Sequence, residues 1–175
     1  MKKNKVFLYI FSGLPGTGKS TLAKKMVKKL NAIYLRIDTI EQGISDLCNL
    51  NVQEEGYRLT YRIIEDNLKL GNNVITDQCN PINLTRNEFN SVAIKNNCKY
   101  INIETICSNI NEHKNRVEKR EKEIENLKSP TWEEIQNRKY ESWEEDHIII
   151  DTANKTINEC INELIDKIKF WKITE

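Results

Sequence analysis

The stretch from Gly13 to Ser20 constrains this chain more than any other feature. It reads Gly-Leu-Pro-Gly-Thr-Gly-Lys-Ser and fits the pattern G-x-x-x-x-G-K-[ST] without a mismatch. It follows the apolar run Val6–Phe11 and precedes the helix-favouring segment Leu22–Val27. In that context, glycines let backbone N–H groups converge on an anion, and the following helix directs its positive N-terminal end at the same group. The sequence therefore predicts a loop that binds a nucleoside triphosphate.

Two side chains of this loop have specific predicted roles. Lys19 is expected to reach the β- and γ-phosphates, and the Ser20 hydroxyl is expected to hold Mg²⁺. A flexible glycine-containing turn is the alternative interpretation, and the flanking strand and helix disfavour it. The residues predicted to bind the nucleotide are Gly13, Leu14, Pro15, Gly16, Thr17, Gly18, Lys19, Ser20 and Thr21.

Composition limits the class of protein. A chain of 175 residues is most simply a single domain, residues 1–175. Its 27 basic and 26 acidic residues balance, so no strong overall field attracts nucleic acid or a membrane surface. The five cysteines are scattered and never spaced C-x-x-C, which favours a reducing compartment over a disulfide framework. No segment approaches the ~20 apolar residues of a membrane span, and we expect a cytoplasmic protein.

Strand-like and helix-like stretches alternate along the chain. This alternation predicts an α/β fold with a five-stranded parallel sheet and helices on both faces. Helices are expected over Asn83–Asn96 and after Thr156, which forms a capping box with Glu159. Ligands should then bind beyond the carboxyl ends of the strands. The predicted strands are Val6–Phe11, Ala32–Ile37, Asn73–Thr76, Tyr100–Ile106 and His147–Ile150.

A densely charged region of about residues 109–130 separates the fourth and fifth predicted strands. One interpretation is a solvated helix with ion pairs between residues four apart. The other is a short lid that closes over phosphates, with Arg116 and Arg120 on one helix face. The phosphate-binding loop at the strand ends favours the lid.

Two aspartates follow predicted strands. Asp38 ends the second and Asp77 ends the third, so both should emerge at the sheet edge that carries the phosphate-binding loop. Each could instead be a helix cap or an ordinary strand-end aspartate. Phosphoryl transfer needs a group that accepts or orients the acceptor proton, and we assign Asp38 to it. Asp77 is expected to bind a metal-bound water or the substrate, and Arg86 is a further candidate substrate contact.

At this point the chain resembles the P-loop kinases that phosphorylate small molecules or polynucleotide ends. This group includes chloramphenicol phosphotransferase, the kinase domain of phage polynucleotide kinase and the zeta-toxin sugar-nucleotide kinases. Later segments look most like uncharacterised bacterial AAA-family ATP-binding proteins. The resemblance implies a three-layer, nucleoside-kinase-like fold, with ATP and Mg²⁺ as cofactors. It rests on Gly13–Thr21, Leu35–Asp38, Asp77–Pro81, Glu112–Arg120, residues 130–143 and Ile150–Ala153.

The resemblance also implies roles for individual residues. Asp38 matches the catalytic aspartate of the group, and Arg116 and Arg120 match its lid arginines. The loop that contains Thr152 and Ala153 would flank the adenine. Together with Lys19, these residues form the expected catalytic and nucleotide-binding set.

One departure from the pattern bears on the acceptor. Polynucleotide kinases of this type carry an arginine three residues after the catalytic aspartate, where this chain has Glu41. A carboxylate there would repel a nucleic-acid phosphate, and the balanced charge of the chain also disfavours nucleic acid. Glu41 is instead a candidate contact for an amine or a hydroxyl-rich acceptor.

The favoured function is transfer of the γ-phosphate of ATP to a hydroxyl of a nucleoside, sugar, amino sugar or antibiotic. A 5′-hydroxyl polynucleotide kinase and a nucleotide-driven ATPase switch are the alternatives. No N-K-x-D motif occurs, which disfavours a GTPase switch. The sequence leaves open the acceptor and whether the chain is a monomer or a homodimer.

Overall fold

Strands and helices alternate along the chain in the computed structural model, which describes residues 5–174. The strands are β1 (Phe7–Ser12), β2 (Ala32–Arg36), β3 (Asn73–Asp77), β4 (Lys99–Ile106) and β5 (Ile148–Asp151). The helices are α1 (Lys19–Leu30), α2 (Ile37–Cys48), α3 (Glu55–Lys69), α4 (Asn83–Lys95), α5 (Ile110–Glu118), α6 (Trp132–Gln136) and α7 (Ile157–Thr174). Each predicted strand is present, with ends that differ by one residue at most from the prediction.

The strands form one parallel sheet in the order β2-β3-β1-β4-β5. This confirms the predicted α/β fold. β1 lies in the centre and every one of its residues is buried. Because all strands run in the same direction, the segments that follow β1, β2 and β3 emerge at one edge of the sheet.

Alternate residues of β1 point to opposite faces of the sheet and enter two separate cores. On one face, Tyr9 and Phe11 pack with residues of α1 and α7, including Met26 and Leu164. The other face begins with Leu8 and Ile10 and is covered by α3 and α4; its further members are Ile64, Leu68, Phe89 and Ala93. The result is three layers with the sheet in the middle. Within residues 5–174, no helix is long and apolar enough to cross a membrane.

The charged region after β4 is helical only in its first part. α5 ends at Glu118, and residues 119–131 are irregular. Arg116 lies on α5 but Arg120 does not, so the expected shared helix face is wrong. Val117 is the last buried residue of α5, and the charged residues beyond it offer no apolar face to stabilise further turns.

Arg86 holds the chain segment that follows α6. Its guanidinium is buried and donates hydrogen bonds to the carbonyls of Asn80, Glu141 and Ser142 at 3.1, 3.0 and 3.2 Å. It also lies 4.0 Å above the ring of Trp143. The expectation that Arg86 contacts substrate is therefore corrected, because its donors are used within the protein and it does not line the main cleft.

Replacing this arginine should destabilise the fold. Arg86→Met leaves three carbonyls without their donor and removes the cation above the indole, for an expected loss of about 2–4 kcal/mol in the free energy of unfolding. Urea denaturation measures the loss. Arg58→Met is the matched control, because Arg58 is exposed and, among residues 5–174, forms an ion pair only with exposed Glu54, so little change is expected there. Equal stabilities of the two variants would contradict the anchoring role.

Candidate active site

The phosphate-binding loop has the backbone conformation that only glycine adopts readily. Gly16 has φ +86°, and a Cβ there would lie 2.5 Å from Cγ2 of Val117 on α5. Gly18 has φ +91°, and α1 begins at the next residue. The N-terminal N–H groups of α1 therefore open directly onto the loop, where they can bind phosphate oxygens.

Neighbouring elements hold the loop in place. The Thr17 hydroxyl lies 2.9 Å from the carbonyl of Leu14 and 2.8 Å from the hydroxyl of Thr105 on β4. His113 of α5 lies with Nε2 2.8 Å from the carbonyl of Pro15. The loop is thus fixed from both sides before any ligand binds, which lowers the cost of ordering it on binding.

Lys19 and Asp77 form a buried ion pair behind the loop. The Lys19 Nζ lies 2.6 Å from Asp77 Oδ1, and the Tyr34 hydroxyl donates to Oδ2 at 2.5 Å. Burial disfavours the charged carboxylate, but Lys19, Tyr34 and Ser20 together hold the pKa of Asp77 below its ordinary value. Asp77 is therefore an ionised oxygen donor next to the Ser20 hydroxyl.

The oxygens of Ser20 and Asp77 suit Mg²⁺, which prefers hard oxygen donors and retains several waters. Among the residues that the structure describes, no group of three or more His, Cys, Asp or Glu side chains is placed to hold a metal. Nucleotide phosphates and water would have to complete a magnesium site at Ser20 and Asp77.

Asp38 lies in the first turn of α2 and lines the same cleft as the loop. Its side chain is 38% exposed, and its Oδ2 lies 3.8 Å from Nε of Arg36. The N-cap of α2 is Arg36, and no side chain makes a capping hydrogen bond there. Asp38 is thus an accessible carboxylate at the edge where the sequence expects it, and the helix-cap alternative is not supported.

The cleft has a volume of about 610 Å³ and is closed on one side by the irregular segment after α5. Arg116 is braced there, since it pairs with Glu112 at 2.6 Å and donates to the Thr152 hydroxyl at 2.8 Å. Arg120 also lines the cleft, and within residues 5–174 it has neither an ion pair nor a side-chain hydrogen bond. Arg120 is therefore the lid arginine with unused donors.

A lid carboxylate connects this segment to the body. Glu123 lies 2.6 Å from Nη1 of Arg36 and 2.9 Å from Nζ of Lys24. The hydrogen bond from Lys24, followed by that from Arg36, lowers the pKa of Glu123 despite partial burial. These two partly exposed pairs connect the lid to α1 and to the end of β2.

The loop after β5 contributes Thr152 but not Ala153 to the cleft wall. The Thr152 hydroxyl donates to the Thr17 carbonyl at 2.8 Å, so this residue connects the loop after β5 to the phosphate-binding loop. Ala153 is buried beside it. Sequence reasoning missed several residues that line the cleft, among them Arg36, Arg138, Lys155 and Ile157. The one signal for any of these four was the charge of Arg36 at the end of a predicted strand.

Glu41 lies one turn after Asp38 on α2 and also lines the cleft. Its side chain lies over Gly56 of α3, where a Cβ would come within 2.1 Å of Glu41 Cγ. Burial, followed by the charges of Asp38 and Glu55, raises the pKa of Glu41 to about 7. The Glu41 carboxyl is therefore partly protonated near neutral pH.

A parallel sheet whose central strand leads through a glycine-rich loop into a helix is the P-loop arrangement. A family model described as AAA domain matches residues 8–141. The chain belongs to this AAA domain family.

Solved kinase structures share the fold over nearly the whole chain. A putative kinase from Chloroflexus aurantiacus has 15% identity and a TM-score of 0.69, over 93% of this chain and 98% of that one. An APS kinase from Mycobacterium tuberculosis has 17% identity and a TM-score of 0.67, over 94% and 98%. A gluconokinase from Sinorhizobium meliloti has 12% identity and a TM-score of 0.64, over 98% and 99%. At these identities the likeness shows the fold.

Lys19→Met should destabilise the protein even without nucleotide, because it leaves the Asp77 carboxylate buried without its cation. The expected loss is about 3 kcal/mol in the free energy of unfolding, measured by urea denaturation in nucleotide-free buffer. Adding Asp77→Asn removes the buried charge and should recover part of the loss. Lys69→Met, which breaks an exposed pair with Glu65, is the control and should change little. A double variant no more stable than Lys19→Met would contradict the assignment.

Glu41→Gln should change how stability depends on pH. The folded-state pKa of about 7 lies above the unfolded value of about 4.3, so the parent loses stability as pH rises between the two. Glutamine does not ionise. The free energy of unfolding of the variant should therefore rise relative to that of the parent as the pH increases from about 4.5 to 8. Urea denaturation across this range measures the difference, with exposed Glu133→Gln as the control. Parallel profiles for parent and Glu41→Gln would show that the pKa of Glu41 is not raised in the folded protein.

Proposed function

We propose that this protein is an ATP-dependent phosphotransferase that moves the γ-phosphate to a hydroxyl group of a small molecule. One observation carries the proposal. A single cleft at the carboxyl edge of the sheet is lined by the phosphate-binding loop, Asp38 and the lid arginines Arg116 and Arg120. Nucleotide-binding groups, a carboxylate for the acceptor and positive charge near the transferred phosphate are the parts that phosphoryl transfer requires of a protein.

The comparisons support a small acceptor. An APS kinase and a gluconokinase, both named for small-molecule substrates, share this fold over nearly their whole length. The cleft of about 610 Å³ also falls within the ~300–1,000 Å³ range of small-molecule sites. These observations favour a metabolite-sized acceptor over a macromolecule.

On the donor side, the loop amides and the N-terminus of α1 bind the phosphates of ATP. When ATP binds, the Lys19 ammonium moves away from Asp77 and binds the β- and γ-phosphates. Arg120 binds the same phosphates from the lid. Mg²⁺ held by Ser20 and Asp77 would supply charge neutralisation at these phosphates. Thr152 holds the loop after β5 next to the phosphate-binding loop and so near the nucleotide. Ala153, which was expected to contact the nucleotide, does not line the cleft.

On the acceptor side, Asp38 orients the hydroxyl and accepts its proton. The hydroxyl oxygen forms a bond to the γ-phosphorus, and the bond between that phosphorus and the oxygen bridging to the β-phosphate breaks, so that ADP leaves. The exposure of Asp38 to the cleft and its position on α2 support this role.

Glu41 bears on the polynucleotide alternative. It lines the cleft one turn from Asp38, at the position where polynucleotide kinases of this type carry the arginine that binds the nucleic-acid phosphate. The 27 basic and 26 acidic residues of the chain balance, so there is no cationic excess to attract nucleic acid. A 5′-hydroxyl polynucleotide end is therefore the less favoured acceptor.

Asp38→Asn should separate transfer from nucleotide binding. Loss of the carboxylate should lower the rate of transfer by about 10²–10⁴-fold, because the acceptor proton has no base, while affinity for MgATP stays close to the parent value. Isothermal titration with MgATP and a phosphate-transfer assay measure the two. Asp66→Asn, an exposed change on α3, is the matched control. Loss of nucleotide binding in Asp38→Asn, or retained transfer, would contradict the role.

The assay needs an acceptor, which a screen of ATP consumption supplies. Nucleosides, sugars, aminoglycosides and other antibiotics, and 5′-hydroxyl oligonucleotides are offered in parallel. Turnover that depends on a small hydroxylated compound supports the proposal. Turnover that needs no acceptor would instead identify an ATPase and overturn it.

A further inference from the structure

Arg36 is a buried cation in the cleft wall whose hydrogen-bonding capacity is largely unused. Its side chain is 6% exposed, and Nη1 donates to Glu123 at 2.6 Å. Within residues 5–174, Nε and Nη2 have no hydrogen-bond partner. A guanidinium carries five N–H donors, and leaving charged donors buried and unpaired is costly. This arrangement indicates that a partner for Arg36 arrives with a ligand.

The carboxylates of the protein body do not supply that partner. Asp38 Oδ2 lies 3.8 Å from Arg36 Nε, which is beyond hydrogen-bond distance. Asp77 faces Arg36 in the register of β2 and β3, but its oxygens are occupied by Lys19 and Tyr34. The hydrogen-bonded carboxylate is that of Glu123, which belongs to the irregular lid segment and divides its contact between Arg36 and Lys24.

We propose that Arg36 binds an oxyanion carried by the phosphate acceptor, and that the Glu123 carboxylate holds this position when no acceptor is bound. The acceptor is then a small molecule that carries a carboxylate, phosphate or sulfate group close to the hydroxyl that is phosphorylated. This inference rests on the proposed function, because Asp38 marks where the hydroxyl lies.

The geometry favours such a molecule. Arg36 ends β2 and Asp38 follows two residues later on α2, so a hydroxyl at Asp38 and an anion at Arg36 belong to one small compound. The planar guanidinium binds carboxylate and phosphate groups through paired donors, and Nε with Nη2 is such a pair. Glu123 contacts Nη1 and leaves this pair unused, so an oxyanion that displaces Glu123 can accept hydrogen bonds that the carboxylate does not.

The other charges around this space agree with an anionic acceptor. Arg138 also lines the cleft, where it contacts the thiol of Cys79. Glu41 lines the same cleft, and its pKa of about 7, raised by burial and by Asp38, makes it a partial hydrogen-bond donor at neutral pH. An amine acceptor would pair with Glu41 and Asp38 but would place its positive charge beside Arg36. The buried Arg36 therefore favours an anionic acceptor over an amine.

Sulfate is a suitable probe, because it tests the oxyanion site without requiring the natural acceptor. The protein is first saturated with MgAMP-PNP, so that the phosphate-binding loop is filled, and sodium sulfate is then titrated at constant ionic strength by calorimetry. We expect one saturable sulfate site. Sodium gluconate and glycerol 3-phosphate, compared with glucose and glycerol, then show whether a carboxylate or a phosphate is preferred.

Two variants carry the test. Arg36→Gln should weaken sulfate binding by about tenfold or more, since it removes a charged hydrogen-bond donor. Glu123→Gln should tighten sulfate binding several-fold, because a competing carboxylate is removed. Glu121→Gln is the matched control: it removes the same charge from a cleft-lining lid residue that has no described contact with Arg36, and it should not tighten binding.

Several outcomes would overturn the inference. These are the absence of saturable sulfate binding in both parent and Glu123→Gln, equal binding in parent and Arg36→Gln, and equal tightening by Glu121→Gln and Glu123→Gln. If Arg36→Gln loses affinity for MgAMP-PNP but keeps it for MgADP, Arg36 serves the γ-phosphate and the inference also fails. Should Arg36→Gln not fold, the comparison of the two lid variants decides. Failure of the parent to bind MgAMP-PNP would instead count against the proposed function.

Discussion

The buried pair of Lys19 and Asp77 is the interaction on which the rest of the site depends. Each partner alone would be a costly buried charge, so each requires the other until a ligand arrives. The pair also joins the start of α1 to the end of β3, two neighbouring segments of the sheet edge. Because Tyr34 completes the hydrogen bonding of Asp77, β2 is tied to the same point. The start of α1, strand β2 and the end of β3 are therefore joined at one ion pair.

The lid, in contrast to the buried pair, is held by weak and partly exposed contacts. Its charged residues have no apolar face that would let them fold independently. Their position depends on oppositely charged and polar residues elsewhere in the protein. Glu123 forms ion pairs with Arg36 and Lys24, and Arg116 donates a hydrogen bond to Thr152 in the loop after β5. Ion pairs of this partly exposed kind are individually weak. A ligand that offers Arg36 or Arg120 a stronger partner can therefore rearrange the lid at small cost.

Particular residues show where sequence reasoning succeeds and where it stops. The strands and the parallel sheet followed from apolar runs, because buried parallel strands have little freedom in composition. Arg86 was misjudged because its position close behind Asp77 along the chain says nothing about the direction of its side chain, which turns to the carbonyls of residues 141 and 142. Arg120 was placed on a helix that ends two residues earlier, because helix length depends on tertiary packing as much as on local preference.

The sequence by itself determined the loop and its chemistry. Three glycines, a lysine and a serine at fixed spacing suffice there, since the backbone conformations and the helix start are local properties. Only the tertiary structure decided which other charged residues line the cleft. Arg36, Arg138 and Glu123 are far apart in sequence or unremarkable in it, yet the sheet order and the return of the lid bring them to one cleft. The physical reason is that burial and charge pairing between distant segments appear only when the chain has closed on itself.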